Sequence, residues 1–368
     1  MQEHFAQSTY LGLIEEDAPD HFKPIYVIIW QKEKAIGVML LQHLILKLSN
    51  ALRYENYGKT KNKLVIALQK MRQWIVSKFQ FNLLTIGNLY LTGEYGFHFE
   101  HGTLSYDQQV TVVYDAVSSL RRELKSGPYR FSAALYKDFF RNHSFKKATD
   151  MGLHPFQIDP NMILDLDSNW SSFEDYLMSM RSKYRIRMKN ALKKFSPVTK
   201  QVLTSADVDS YKSKMSELYN DILEGSGFVL IKGQKNYFKL LKDRLGDDLK
   251  VVAYFLDDEM VAFYTWVMDG DKMDSHFIGV NSMFNLKYQL YLNILLDLVR
   301  DAIENRAKRL FYYRTALEIK SSVGAEPYDM LCYIKHNNSL ISSLIPVVFK
   351  YFVPQQSWAQ RHPFKKPS

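Results

Sequence analysis

Seven residues towards the C-terminal end of the sequence have types that could move protons or hold anions: His276, Asn281, Tyr288, Tyr291, Arg314, Glu318 and Lys320. His276 alternates with apolar neighbours in Asp274-Ser-His-Phe-Ile278. It can serve as a general base or sit as a satisfied strand histidine. Tyr291 can protonate a leaving group, or it can be core aromatic. Arg314 can grip a carboxylate or phosphate through two parallel N–H groups. Lys320 offers a point charge to the same anions, the alternative being a solvent-facing lysine. Glu318 lies two residues from Lys320, so on a helix the two do not face each other. Asn281 and Tyr288 could add hydrogen bonds to a substrate.

The surrounding pattern should bring these residues together. Lys250–Leu256, Val261–Met268 and Lys272–Val280 read as three strands of an antiparallel meander, with turns at Asp257-Asp-Glu259 and Asp269-Gly270. A helix is expected over Leu286–Asn305, with Asn293, Asp297, Arg300, Asp301 and Glu304 as its polar face. Lys308–Arg314 should be a strand, Leu317–Val323 a short helix and Tyr328–Lys335 a final strand. That order is α/β. Arg314 then ends a strand, where ligands tend to bind in such sheets.

The first half carries a weaker copy. Met151-Gly-Leu-His-Pro-Phe156 lines up with Val323-Gly-Ala-Glu-Pro-Tyr328. Repetition of one supersecondary unit implies duplication. Phe5–Ile14 reads as an opening helix, and Ile25–Trp30 with Ala35–Leu41 as a hairpin turning at Gln31-Lys-Glu-Lys34. Residues 44–80 read as a basic insertion with a helix, Phe81–Gly102 as strand and loop, and Asp107–Lys125 as a helix stopped by Ser126-Gly-Pro128. A strand over Tyr129–Leu135, a helix over Lys137–Asp150 and a strand over Gln157–Leu166 complete this half. The expected units are 1–168, a linker helix at 169–195, 196–350 and a tail at 351–368. The linker starts at a capping-box sequence, Ser171-Ser-Phe-Glu174, and ends at Pro197. Phe173, Leu177, Met180, Tyr184, Met188, Ala191 and Phe195 form one apolar stripe along it. Arg181, Lys183, Arg185, Arg187, Lys189, Lys193 and Lys194 flank the stripe, with no acid among them. Such a run is a polyanion-binding face or a solvated one.

Composition narrows the class. The chain has 368 residues and a formal net charge of +9, which favours RNA, an anionic membrane surface or a phosphate-rich ligand as partner. The single cysteine, Cys332, excludes an intrachain disulfide and a cysteine zinc site, and its apolar neighbours predict a buried strand position. No metal is expected: His98, Glu100 and His101 lack a fourth ligand. The start of the chain has no signal-peptide pattern, and no apolar run reaches the ~18 residues of a membrane span. A cytoplasmic setting is expected, with peripheral attachment at the inner membrane face left open. Phosphate-binding loops, nucleophile elbows, zinc-protease motifs and dinucleotide fingerprints are absent from the sequence.

The order of these motifs resembles the GNAT acyltransferase superfamily in its tandem, Fem-type form, over nearly the whole chain. Phe5–Leu11 matches the opening helix of that group. Phe173–Leu177 followed by Lys183–Lys189 matches its linker, and Tyr288-Gln-Leu-Tyr291 its aromatic-rich helix start. Glu318-Ile-Lys320 with Gly324-Ala-Glu-Pro327 matches its ending. The resemblance implies two GNAT-like α/β units with mainly antiparallel central sheets. It implies transfer of an acyl or aminoacyl group to an amine of a small molecule or envelope precursor, with acyl-CoA or aminoacyl-tRNA as donor and no obligate protein partner. Tyr291, His276 and Glu318 would be catalytic. Arg314, Lys320, Tyr288 and Asn281 would bind substrate, and Arg181, Lys183, Arg185, Arg187 and Lys189 would meet tRNA or another polyanion. The pyrophosphate loop of acetyl-CoA enzymes is missing from Val280-Asn-Ser-Met-Phe-Asn-Leu-Lys287. The alternative function is a catalytically silent protein that binds an envelope precursor, lipid or RNA.

Overall fold

The structure, a computed structural model, describes residues 7–19, 21–47, 80–143, 145, 147–224, 236–352 and 358–365. Helix α1 (Ser8–Glu16) leads into β1 (Phe22–Gln31) and β2 (Lys34–Lys47), which pair as a hairpin. Then come β3 (Gln80–Ile86), the short β4 (Phe97–Phe99), α2 (Tyr106–Glu123), β5 (Ala133–Phe140) and β6 (His154–Asp165). The connecting helices are α3 (Phe173–Ser179) and α4 (Ser182–Phe195). After β7 (Thr199–Val202) follow α5 (Ser205–Glu224), α6 (Tyr237–Leu245), β8 (Leu249–Leu256), β9 (Glu259–Asp269) and β10 (Lys272–Val280). The chain continues through α7 (Ser282–Tyr288), α8 (Leu290–Glu304), β11 (Arg309–Tyr313), α9 (Leu317–Ser322), β12 (Glu326–His336) and α10 (Ser339–Phe352). Of the expected insertion, residues 48–79 lie outside the described residues.

All strands among the described residues join one sheet in the order β1-β2-β3-β5-β12-β6-β11-β10-β9-β8-β7, with β4 on β2. The duplication is visible in that order. β1, β2 and β3 form an antiparallel meander, and β5 then joins β3 in parallel. β8, β9 and β10 repeat the meander, and β11 joins β10 in parallel. The last strand of each half has changed places: β12 pairs with β5, and β6 with β11. β6 and β12 then pair with each other at the centre. The repeated Gly-x-x-Pro motif stands just before each exchanged strand, where Gly152 has φ +67° and Gly324 φ +103°. Only glycine takes such turns without strain.

Four local expectations fail. Lys137–Asp150 is no helix. β5 runs on to Phe140 and a short 3-10 turn follows at Arg141–His143. β5 is buried almost throughout between two neighbours, so its residues show no strand alternation. The helix expected over Leu286–Asn305 breaks at Gln289, which is left-handed at φ +54°. Asn285 Oδ1 accepts the Tyr291 amide there, and Asn293 Nδ2 donates to the carbonyls of Tyr288 and Gln289. The polar face of α8 turns onto the sheet: Asp297 accepts from Tyr254, and Asp301 from Tyr264 and Trp266. Lastly, the linker is two helices. The capping box is Ser172 with Asp175, one residue beyond the expected one, and the break falls at Met180. There the chain bridges to Phe364: Arg181 N donates to Pro363 O at 2.8 Å, and Lys365 N to Ser179 O at 3.1 Å. Phe364 packs against Gly324 so closely that a Cβ would lie 2.2 Å from its ring. The apolar stripe nevertheless reaches the core, with Leu177, Met180, Met188 and Ala191 buried.

Candidate functional site

Parallel pairing of β10 with β11 covers only Lys272–Asp274 against Arg309–Phe311. Beyond it the strands part. β10 bulges between Ser275 and Ile278, and β11 ends in a left-handed turn with Tyr313 at φ +59°, Thr315 at +68° and Ala316 at +49°. Left-handed backbone at three non-glycine residues is strained and persists only where its surroundings hold it. Lys320 supplies that hold. It is 2 % exposed, and its Nζ donates to the carbonyls of Tyr312, Tyr313 and Arg314 at 2.6, 3.2 and 2.5 Å. Burial lowers its pKa to about 7, while three carbonyl acceptors favour the ammonium form.

A cavity of about 850 Å³ fills the gap. Ser275–Ile278 of β10 and Tyr312–Ala316 after β11 form one side, with Asn285, Tyr291 and Ile319 nearby. The first half of the chain closes the other side with Leu89–Thr92 after β3 and Lys137 on β5. The end of α5 adds Tyr219 and Asn220. Aromatic rings make much of the wall, and Tyr90 stacks on Tyr237 with centroids 5.5 Å apart. The exposed Arg187 of α4 and Leu286 of α7 stand at the rim.

The deep end holds a buried charge cluster. Asp138, fully buried on β5 and left-handed at φ +66°, forms ion pairs with Lys137 and Arg314. Its Oδ2 also accepts the Gly93 amide at 3.1 Å. Lys137 Nζ donates to Leu91 O at 2.6 Å. Burial opposes the charge of Asp138, but Arg314 and Lys137 outweigh it and hold the carboxyl below the usual carboxylate range. Burial lowers the pKa of Lys137, with Asp138 acting against that shift. Arg314 Nε is buried without a hydrogen-bond partner.

No known protein-family profile matches the sequence, and no curated protein does. Solved structures do. FemX superposes with a TM-score of 0.54 at 11 % identity, covering 93 % of this chain and 94 % of its own. The fold is of the Fem type. L-PGS from Bacillus licheniformis follows at 0.50 and 9 % identity, with 94 % and 96 % covered. A tandem GNAT protein from the clavulanic acid biosynthesis pathway reaches 0.49 at 11 % identity, with 90 % and 88 % covered.

Within this Fem-type fold the expected residues separate into two groups. Tyr291, Arg314, His276 and Lys320 line the cavity together. Burial raises the pKa of the Tyr291 hydroxyl, which keeps its proton. His276, however, is driven by burial down to about 3, so it is a poor base, and Lys320 is bound to backbone rather than standing at the rim. Tyr288, Asn281 and Glu318 are not cavity residues. Tyr288 is buried in the core beneath α7, with Lys287 Nζ 4.8 Å above its ring. Asn281 caps α7 by accepting the Met283 amide at 3.0 Å. Glu318 points outward to Arg361, whose Nε lies 3.0 Å away.

Among the linker cations only Arg187 reaches the cavity. Arg181 Nε donates to Phe364 O, Arg185 to Met180 O and Lys189 to Glu174, while Lys183 is exposed. Lys183 and Lys194 share the helix face of Arg187 by their spacing. Cys332 is buried, with its thiol pushed up to about 12. No group of residues able to hold a metal occurs among the described residues, and none of the described helices is long and apolar enough to cross a membrane.

Sequence reasoning missed Lys137, Asp138, Tyr90 and Asn285. One signal was present: Lys137 and Asp138 are adjacent opposite charges inside the apolar run Phe131–Phe140. Buried charges occur as pairs. Ending the strand at Leu135 and reading a helix from Lys137 concealed it.

Proposed function

We propose that this protein is an N-acyltransferase that moves an acyl or aminoacyl group to an amine of a small molecule or envelope precursor, with the reaction in the cavity between β10 and β11. The observation that carries this reading is the parting of those two strands around a cavity lined by Tyr291 and Arg314. Amide formation by such a site needs little covalent help: a carbonyl is held and polarised, an amine attacks it and gives up a proton as the C–N bond forms, and the donor's leaving group departs with a proton. Arg314, fixed by Asp138 and with Nε unpaired, is suited to orient an anionic or carbonyl group. Tyr291 keeps its proton and is the donor to the leaving group. Arg187, with Lys183 and Lys194 on its helix face, supports a polyanionic donor at the rim, acyl-CoA or aminoacyl-tRNA.

The test begins with native mass spectrometry of the purified protein for retained CoA, tRNA or lipid, followed by transfer assays with that donor class and a panel of amines. Tyr291→Phe should lower kcat by roughly 10²–10⁴-fold with little change in KM. Absence of turnover with both donor classes would remove the reading. A second reading, binding without turnover, has its own support: His276 is too weak a base, the Lys320 amine is occupied, and Asn281 takes an α7 amide where a pyrophosphate would sit.

A further inference from the structure

The cluster at the deep end of the cavity has two basic side chains and one carboxylate. Lys137 and Arg314 are two cations sharing Asp138, whose carboxylate also accepts from Gly93. Arg314 Nε remains buried and unpaired. Ser275, 3 % exposed on the facing strand, likewise has a buried hydroxyl with no partner. Unmade hydrogen bonds and uncompensated buried charge are costly, and a ligand that satisfies both recovers that cost. The walls above the cluster are aromatic, from Tyr90, Tyr219, Phe277 and Tyr291. Phosphate binders in proteins more often use exposed backbone amides and several cations. Here two basic side chains that share one carboxylate line the cavity together with Ser275, which suits a smaller, singly charged acceptor group.

We infer that the deep end of this cavity binds the carboxylate of a substrate whose body is apolar or aromatic, with the anion completing the Lys137–Asp138–Arg314 cluster and the body lying among the tyrosines. This rests on taking the cavity as the transfer site, and it makes one of the two substrates a carboxylate-bearing molecule. Such a carboxylate can belong to an amino-acid-like compound or to a fatty acid.

Calorimetric titration of the whole protein at pH 7 tests the inference with matched probes. 3-Phenylpropanoate should bind at least tenfold more tightly than 3-phenylpropanamide, which has the same shape without the charge. Arg314→Gln should bring the two within about twofold, since hydrogen bonds to charged groups carry the difference. The acid–amide comparison on the unaltered protein stands whether or not that variant folds. N-acetylphenylalanine against decanoate assigns the source of the carboxylate, with the tighter ligand naming it. Equal binding of acid and amide, no binding of either at millimolar concentration, or tenfold tighter binding of phenylphosphonate would each overturn the inference. Equal binding of acid and amide would leave acyl transfer itself standing. A carboxylate that binds without any transfer would instead remove the function proposed above and leave this site.

Discussion

Replacing Asp138 with asparagine keeps the shape of the side chain and removes the carboxylate that Lys137 and Arg314 share. Lys137 and Arg314 then lose their shared partner in a place where the carboxylate is wholly buried and the side chains of Lys137 and Arg314 are 8 % and 20 % exposed. Breaking a buried ion pair by removing one member typically costs about 3–5 kcal/mol. That is a large share of the roughly 5–15 kcal/mol by which a folded protein is stable. Part of the cost can be shed by Lys137, whose pKa burial already lowers and which loses the opposing pull of Asp138. Arg314 has no such escape, because a guanidinium does not deprotonate. The sign with pH follows. A lysine whose folded pKa lies below its unfolded value binds fewer protons folded than unfolded, so stability rises with pH from the folded value up to the unfolded one near 10.5. Loss of Asp138 puts the folded value of Lys137 lower still in the variant, so the gap between variant and wild type should narrow as pH rises through the two folded values and stay level above them. Asp138 itself is ionised above the ordinary carboxylate range, and its contribution fades only as pH falls through its depressed pKa. Urea unfolding followed by tryptophan fluorescence, from pH 6 to pH 10, gives both quantities. A loss below about 1 kcal/mol at pH 7, or a gap that stays constant with pH, would refute the account of a buried, charge-coupled cluster.

Two further outcomes follow from the same geometry. His276 stays neutral when folded, with a pKa near 3 against 6.5 for the free side chain, so unfolding takes up a proton below pH 6.5. His276→Asn should remove up to about 1.4 kcal/mol per pH unit of acid destabilisation between pH 6 and pH 4, and unchanged urea midpoints across that range would contradict it. Reversing Lys183, Arg187 and Lys194 to glutamate should weaken tRNA binding and reduce its logarithmic salt slope by ~2, taking about 0.7 per lost phosphate contact. Reversal of Arg185 and Lys189, whose head groups already serve Met180 and Glu174, should do less, and equal effects of the two sets would return the run to a solvated face.

Much of the architecture was legible because it is local. β8, β9 and β10 announced themselves as apolar runs bounded by turn residues, and β10 was read at Lys272–Val280, the bounds it has. The Gly-x-x-Pro repeat marked the duplication because a left-handed turn admits few residues, and Gly152 and Gly324 both stand in one. The linker stripe and the buried Cys332 were also readable from spacing and neighbours. Pattern could not show that β6 and β12 exchange places, since strand order is a choice among pairings of similar local sequence. Nor could it show that the strand read at Tyr129–Leu135 runs on to Phe140 as β5, where burial on both faces erases the period. The site lay furthest from the sequence. Tyr291 and Arg314 could be named from type and position, but what each does depends on its neighbours. Asp138 meets Arg314 across 176 residues, and only the exchanged strands and the parted sheet bring them together. The same tertiary choice buried His276 beyond useful basicity and turned Lys320 from an anion grip into a tie for three carbonyls. Residue type sets which chemistry is available, while desolvation and partners, which exist only once the chain has folded, decide which of it survives.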